Sequence, residues 1–182
     1  ARFAGKAVLV TGHTGFKGGW LALWLRELGA EVWGFSLPAP TQPSFHEVIR
    51  GHAFAGEIEG DLRDLAAVRA AVVRAQPEIV FHLAAQPLVR RSYAEPRYTF
   101  ETNIMGTVNV LEAVRFCEDT RVVVNVTTDK VYENPETGDA FSEGEPLGGH
   151  DPYSASKAGS EIVTASYRRA FFAGGAGPAI AT

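Results

Sequence analysis

A short apolar run, Lys6–Thr11, leads directly into a segment with glycine at every third position, Gly12, Gly15 and Gly18. A run of this length predicts a buried parallel strand. The residues that follow, Trp20–Leu28, carry apolar side chains at helical spacing. A strand, a glycine-rich turn and a helix in this order predict a pyrophosphate-binding unit. The turn lets the backbone approach the phosphates closely, and the helix N-terminus attracts negative charge.

Strand and helix patterns alternate along the rest of the chain. Further strands are predicted at Glu31–Ser36, Glu57–Gly60, Glu78–His82, Arg121–Thr127 and Pro178–Thr182. Further helices are predicted at Leu65–Ala75, Pro96–Phe116 and Tyr153–Phe172, and loops at Leu37–Phe45 and Glu133–Pro152. This alternation predicts an α/β fold, a Rossmann-type doubly wound parallel sheet that forms one dinucleotide-binding domain over residues 1–182. Since the chain stops within a predicted strand, we expect a truncated protein that lacks a C-terminal substrate domain.

Composition excludes several classes of protein. The 182 residues carry a net charge of -4 and a single cysteine, Cys117. A basic face for nucleic acid, an internal disulfide framework and an apolar run of about 18 residues for a membrane are all absent from the sequence. We therefore expect a cytoplasmic protein. We also expect no metal site, because His46 and His52 are the nearest histidine pair and no cysteine lies near them.

A tyrosine and a lysine open the last predicted helix. Tyr153 and Lys157 are four residues apart and therefore share one helix face. The lysine ammonium is expected to lower the pKa of the phenol, so that Tyr153 takes a proton from a sugar hydroxyl. Thr128 follows a strand and is expected to bind the reacting oxygen, because ligands of open α/β sheets bind beyond the carboxyl ends of strands. The alternative for this spacing alone is a solvated helix face.

The end of the second strand bears on the choice of dinucleotide. Ser36 occupies the position where an acidic residue usually binds the adenosine ribose. No arginine adjoins it to hold a 2′-phosphate, which favours NAD. His13 places an imidazole in the glycine turn, where we expect it to crowd the pyrophosphate and weaken cofactor binding.

Five motifs occur in the order of one enzyme family. They are the glycines of residues 12–18, the segment Gly60–Asp64, the segment His82–Ala85, Asn103, and the Tyr153 and Lys157 pair. Over nearly its whole length the chain resembles the extended short-chain dehydrogenase/reductases. The segments Thr11–Gly18, Ala84–Arg90 and Thr127–Tyr132 resemble more closely the sugar-nucleotide 4,6-dehydratases of that family that act on CDP-glucose.

The resemblance implies an NAD-dependent lyase that oxidises the sugar at C4, eliminates water across C5 and C6, and reduces C6. The product would be a CDP-4-keto-6-deoxyglucose, an intermediate of deoxysugar biosynthesis. It also implies a homodimer paired through Pro96–Phe116 and Tyr153–Phe172. Two enzymatic alternatives remain, a nucleotide-sugar 4-epimerase and a dehydratase of another nucleotide sugar. A non-catalytic dinucleotide sensor is disfavoured, since it has no need of the tyrosine and lysine.

The resemblance also assigns roles to individual residues. Cofactor contacts are expected from Gly12, Thr14, Gly15, Phe16, Lys17, Gly18, Ser36, Asp61, Leu62, Leu83, Ala84, Ala85, Asn103, Thr127, Tyr153 and Lys157. Substrate contacts are expected from Gln86, Arg90 and Thr128, and catalysis from Thr128, Asp129, Lys130, Tyr153 and Lys157. Asp129 would protonate the leaving hydroxyl. Lys130 stands where related dehydratases have glutamate, and would act near C5 either as a base or by stabilising an enolate.

Overall fold

The computed structural model describes residues 2–138, 140–175 and 177–182. Its centre is one sheet of six parallel strands in the order β3-β2-β1-β4-β5-β6. The strands are β1 Ala7–Thr11, β2 Glu31–Ser36, β3 Gly56–Glu59, β4 Ile79–His82, β5 Val122–Asn125 and β6 Ala179–Ala181. The order reverses between β1 and β4, which is the switch point where doubly wound sheets bind ligands. The predicted fold class is confirmed.

Among the described residues, seven α-helices connect and cover the strands. They are α1 Phe16–Glu27, α2 Phe45–Ala53, α3 Leu65–Ala75, α4 Val89–Ala94, α5 Pro96–Phe100, α6 Gly106–Arg115 and α7 Pro152–Ala170. Side chains at the N-caps fix three of these starts, because each accepts a hydrogen bond from a free backbone N–H of the first turn. The capping residues are Ser44 for α2, Asp64 for α3 and Asp151 for α7.

The two faces of the sheet pack separate cores, and β1 contributes to both. Val8 and Val10 are fully buried on the face that α1 covers, together with Leu25. Leu9 points to the opposite face and packs among residues of α3 and α6 such as Val72 and Val114. This alternation follows from the two-residue period of a strand. It holds the glycine turn after β1 between two packed layers.

Three helical features differ from the sequence prediction. Helix α1 begins at Phe16, within the glycine turn, rather than at Trp20. Helices α2 and α4 are not predicted, since both are short: the first spans nine residues after a proline-rich segment, and the second spans six. The long helix predicted at 96–116 is interrupted by a π-helical turn, Glu101–Met105. No helix in the described part of the chain has the length and apolarity that crossing a bilayer requires.

Candidate active site

The glycine turn closes against the end of the neighbouring strand β4. Gly12 has φ +76°, and a Cβ there would lie 2.7 Å from the backbone nitrogen of Ala84. A Cβ on Gly18 would lie 2.2 Å from the carbonyl oxygen of Gly12. The hydroxyl of Thr11 accepts the Ala84 N–H at 3.1 Å. Only glycine fits at positions 12 and 18, as the predicted cradle requires.

The N-terminus of α1 presents its backbone N–H groups at this turn. No side chain of the described residues caps it, and a Cβ on Gly15, at the cap position, would contact only the Gly12 oxygen, at 3.3 Å. Phe16 and Lys17 are exposed at the first turn. Uncapped N–H groups and the positive end of the helix dipole form an anion-binding surface. The predicted cofactor residues of this turn are thus brought together.

A cleft of about 380 Å³ lies beside the turn at the ends of β2 and β3. This volume is within the roughly 300–1,000 Å³ of small-molecule sites. Ser36 lines the cleft, and its hydroxyl lies 2.9 Å from that of Thr14, which also donates to the Leu37 carbonyl at 3.0 Å. Arg50 of α2 lines the same cleft, although it is not adjacent to Ser36 in the sequence. The sequence missed it because α2 was not predicted.

Asp61 and Leu62 follow β3 with different exposures. The Asp61 carboxylate receives hydrogen bonds from the Arg63 guanidinium at 3.0 and 2.6 Å, and these lower the pKa of that carboxyl. Leu62 is 5% exposed and its side chain lies in the core, while its carbonyl accepts an Asn109 amide proton at 2.7 Å. Leu62 therefore has mainly backbone atoms to offer a ligand, and Asp61 is held by its neighbour.

His13 does not present its ring to the surface of the turn. The ring is buried, lies at 5.0 Å from the Phe54 ring centre, and lies where a Cβ of Gly34 would be. Its Nε2 bonds Glu57 of β3 at 3.1 Å. The expectation that this imidazole crowds the pyrophosphate is not supported, because the glycine at position 34 gives the ring a pocket beneath β2.

Tyr153 and Lys157 occupy the first turns of α7. Burial raises the pKa of the half-buried Tyr153 phenol, the Thr128 hydroxyl opposes this through a hydrogen bond, and the charge of Asp129 adds to it. Burial lowers the pKa of Lys157 to about 8, and its Nζ donates to the Val126 carbonyl at 3.1 Å. The predicted lowering of the phenol's pKa by Lys157 is wrong for this structure. The ammonium bonds the strand end rather than the phenol, and desolvation dominates.

Thr128, Asp129 and Lys130 form a turn that faces the start of α7. Thr128 ends the extended segment after β5, donates to Asp129 Oδ1 at 2.9 Å, and accepts from the Lys130 backbone N–H at 3.4 Å. Asp129 and Lys130 are exposed. Thr127 instead bonds Glu161 of α7. The structure therefore brings a hydroxyl, a carboxylate and a phenol to one place, with Lys130 on the same turn.

Asn103 links the segment after β4 to α7. Its Oδ1 accepts the Gln86 N–H at 2.8 Å, and its Nδ2 donates to the Gln86 carbonyl at 3.1 Å and to Ser156 Oγ at 2.8 Å. Ser156 in turn donates to the Tyr153 carbonyl at 2.7 Å. The π-helical turn at this position directs the buried amide into the gap between both segments. Asn103 is thus a positioning residue for Tyr153, rather than a surface contact.

The predicted substrate residues Gln86 and Arg90 differ in placement. Gln86 is 2% exposed, and its amide bonds Thr99 and Leu88. This side chain supports the loop and is not available to a ligand, which corrects the expected substrate contact. Arg90 is exposed on α4. The remaining predicted cofactor residues, Leu83, Ala84 and Ala85, are partly exposed where the chain leaves β4.

A buried histidine connects the ends of β1 and β4 to the helices behind them. His82 Nδ1 lies 2.7 Å from Thr11 Oγ1, and its Nε2 lies 3.3 Å from Thr107 Oγ1. Thr107 donates to the Asn103 carbonyl, so its oxygen accepts from Nε2–H and the ring is the neutral Nε2–H tautomer. Burial and then the Lys157 charge lower the pKa of His82 to about 3.

Comparison with known proteins decides the family. A sequence profile of the GDP-mannose 4,6 dehydratase family matches residues 9–173. The chain belongs to this family. The resemblance to extended short-chain dehydrogenase/reductases is confirmed. A CDP-glucose 4,6-dehydratase of Salmonella typhimurium is 51% identical over 168 residues, covering 92% of this chain and 47% of the relative.

More distant relatives share the same architecture. A dTDP-glucose 4,6-dehydratase of Xanthomonas campestris is 35% identical over 175 residues, which are 90% of this chain and 49% of the relative. The solved UDP-glucose 4-epimerase of Thermus thermophilus, in complex with NAD, is 33% identical with a TM-score of 0.79, covering 90% of this chain and 51% of that one. The chain spans about half the length of these relatives.

Proposed function

We propose that this chain is the dinucleotide-binding domain of an NAD-dependent 4,6-dehydratase whose substrate is CDP-glucose. The observation that carries the proposal is the meeting of Tyr153, Thr128 and Asp129 beside a glycine cradle. The charge of Asp129 and the hydroxyl of Thr128 both act on the Tyr153 phenol. The 51% identity to a CDP-glucose 4,6-dehydratase supports the substrate.

The cradle fits a dinucleotide. Backbone occupies the space of a Cβ at Gly12 and Gly18, and the N-terminus of α1 is uncapped. We infer that these groups hold the pyrophosphate, that Ser36 and Thr14 hold the adenosine ribose, and that Lys157 holds the nicotinamide ribose. The cleft at Ser36 is lined by Glu47, Glu57 and Glu59 against a single Arg50. The excess of carboxylates disfavours a 2′-phosphate and supports NAD over NADP. When bound, the nicotinamide supplies hydride acceptance and return.

The protein's own groups would move the protons. Tyr153 would take the proton of the C4 hydroxyl as a phenolate, a form that the positive charge of the nicotinamide ring would favour against the burial that raises the pKa of the phenol. Thr128 orients the C4 hydroxyl through its own hydroxyl. A ketone at C4 acidifies the C5 proton, so elimination needs a base at C5 and an acid at the C6 oxygen. Asp129 is proposed as that acid, and Lys130, on the same turn, acts at C5 as the base or stabilises the enolate.

The experiment is a mass-spectrometric assay of the full-length protein with NAD and CDP-glucose in heavy water. A product lighter by one water, with deuterium at C5, supports the dehydratase. Asp129→Asn is expected to accumulate reduced nicotinamide without dehydrating the sugar. Tyr153→Phe is expected to form neither reduced nicotinamide nor dehydrated sugar. Asp119→Asn, at an exposed carboxylate far from the site, is the matched control. Dehydration that survives in Asp129→Asn would remove this residue from the mechanism.

A nucleotide-sugar 4-epimerase is the second candidate. It is favoured by the likeness to epimerases, including the Mycolicibacterium smegmatis UDP-glucose 4-epimerase at 32% identity. An epimerase needs the tyrosine, lysine and threonine but no acid for water loss. In the same assay it would give a product of unchanged mass and inverted C4. Water loss from another nucleotide sugar alone would keep the dehydratase and change the substrate.

We also infer a homodimer paired through the segment 96–116 and α7. Apolar side chains are exposed there, with Met105 at 50% and Ile162 at 59% exposure. Light scattering of the full-length protein is expected to show a dimer that Ile162→Glu dissociates. Val73→Glu, at an exposed position on α3, should leave the dimer intact. A monomeric wild type would refute the pairing.

A further inference from the structure

Three side chains from separate elements converge beneath β2. His13 comes from the glycine turn, His46 from the first turn of α2, and Glu57 from β3. The Nε2 atoms of both imidazoles bond the same carboxylate oxygen, Oε1 of Glu57, at 3.1 Å from His13 and within hydrogen-bond contact from His46. All three donor atoms lie within 4.8 Å of one another. Small shifts of these side chains would bring all three atoms to about 2.0–2.2 Å from one ion.

The cluster is largely shielded from solvent. The His13 and His46 side chains are 3% and 12% exposed, and the Glu57 side chain is 26% exposed. Burial lowers the pKa of His13, which the Glu57 charge opposes and the neighbouring His46 reinforces. The neutral imidazole is the form that binds metals.

One atom of the cluster has no hydrogen-bond partner. With Nε2 donating to Glu57, the Nδ1 of His13 is a buried lone pair without a partner among the described residues. The Phe35 carbonyl lies close enough to raise the pKa of His13, but no hydrogen bond of normal geometry reaches it. A cation on Nε2 would move the ring proton to Nδ1 and make this atom a donor. Metal-bound histidines usually donate their second N–H in this way.

We propose that His13, His46 and Glu57 form a binding site for a transition-metal dication of the Zn²⁺ type. Two imidazoles and one carboxylate are a known zinc ligand set, in which the fourth position holds water. Nitrogen donors disfavour Ca²⁺ and Mg²⁺. All three residues line the cleft that also contains Ser36 and Thr14, so the open position faces that cleft. The argument for this site does not rest on the proposed dehydratase activity.

Bound metal would connect three elements that otherwise pack only through side chains. It would fasten the glycine turn and α2 to β3, and binding to the folded state alone stabilises a protein by mass action. Apo protein and zinc-loaded protein are therefore expected to differ in melting temperature, whatever the enzyme does.

The experiment titrates tag-free, chelator-treated full-length protein with ZnCl₂ against a chromophoric chelator. Wild type and His52→Gln are expected to bind one Zn²⁺ per chain. His52 is the matched control, since it lies on the same helix and is exposed. His46→Gln and Glu57→Gln are expected to bind at least about 10-fold more weakly. Circular dichroism of each variant checks the fold.

A second variant keeps the test decisive if glutamine disturbs the packing. His46→Cys retains a ligand, and CoCl₂ added to it is expected to give a thiolate-to-cobalt absorption band that wild type lacks. Zinc affinity in wild type no tighter than in His46→Gln, or the absence of that band in folded His46→Cys, would overturn the proposal. An equal loss of affinity in His52→Gln would do so as well.

Discussion

The ammonium group of Lys157 donates a hydrogen bond to the backbone carbonyl of Val126, with 3.1 Å between Nζ and oxygen. This contact joins α7 to the chain just beyond β5, and the lysine is only 7% exposed. Because burial opposes the charged form, protonation of Lys157 costs the fold stability. The buried position of Lys157 therefore links this residue of the predicted catalytic pair to the free energy of unfolding.

Lys157 is expected to make stability rise in alkaline solution. Its pKa is about 8 in the folded protein and 10.5 unfolded, so the unfolded chain binds more protons between these values. The free energy of unfolding therefore increases with pH across that window, by up to about 3 kcal/mol. Urea denaturation of wild type and Lys157→Met between pH 7 and pH 10 measures it. A stability difference between the two that is independent of pH would contradict the assigned burial.

Gly18→Ala is expected to disrupt the glycine turn. Its Cβ would lie 2.2 Å from the Gly12 oxygen and 2.9 Å from His13 Cα, and both are backbone atoms that cannot rotate away. We expect a loss of several kcal/mol in the free energy of unfolding, as for other overpacked sites. Gly51→Ala is the matched control, since it also lies in a helix but has no atom within 4 Å of the added carbon. It should stabilise the protein by about 0.5–1 kcal/mol. Thermal unfolding compares them, and equal effects would refute the steric argument.

Asn103→Ala is expected to loosen the N-terminus of α7. The substitution leaves the Gln86 N–H and carbonyl without their side-chain partner, and each unsatisfied buried group costs about 1–3 kcal/mol. We expect a loss of about 3 kcal/mol in the free energy of unfolding, measured by urea denaturation. Ser156→Ala removes the hydrogen bond from Asn103 to Ser156 but leaves both Gln86 groups paired with Asn103, so it should cost less. Asn134→Ala, in an exposed loop, should stay within about 0.5 kcal/mol. A loss no larger than that of Asn134→Ala would deny Asn103 its positioning role.

The parts of this fold that follow from short-range patterns are predictable from sequence. The strand Glu31–Ser36 and the helix Leu65–Ala75 match their predicted bounds, because apolar spacing and the signals at their ends are local. Helix α2 spans nine residues and begins at the end of a segment with three prolines, so the local pattern indicates a loop there although Phe45, Val48 and Ile49 are spaced as in a helix. The π-helical turn within 96–116 depends on Asn103 reaching two other segments, which no local pattern records.

The same distinction applies to the site. The glycine cradle and the Tyr153–Lys157 pair are local motifs, and the structure places both at the carboxyl edge of the sheet. The burial of Gln86 and the Lys157–Val126 contact depend on tertiary packing. For this reason the sequence wrongly predicted a substrate contact for Gln86 and a lowering of the Tyr153 pKa by Lys157. Proximity in the sequence pairs His46 with His52. In the structure, the imidazole of His46 instead lies beside that of His13, which belongs to another element. Its carboxylate, Glu57, lies 44 residues from His13 in the chain.

His82 is expected to make the protein sensitive to acid. Its pKa is about 3 in the folded protein against 6.5 unfolded, because burial and the Lys157 charge exclude the imidazolium. Below pH 6.5 the unfolded chain binds the extra proton, so the free energy of unfolding falls with falling pH. The loss reaches about 5 kcal/mol if the fold persists to about pH 3.

His82→Gln should be less stable at pH 7, since the contacts to Thr11 and Thr107 are impaired, but its stability should fall less steeply toward pH 4. His150→Gln, at an exposed position, should keep the wild-type slope. Urea denaturation at successive pH values separates the pH dependence of the free energy of unfolding from the loss of stability at pH 7. A wild-type pH dependence in His82→Gln would show that another group causes the acid sensitivity.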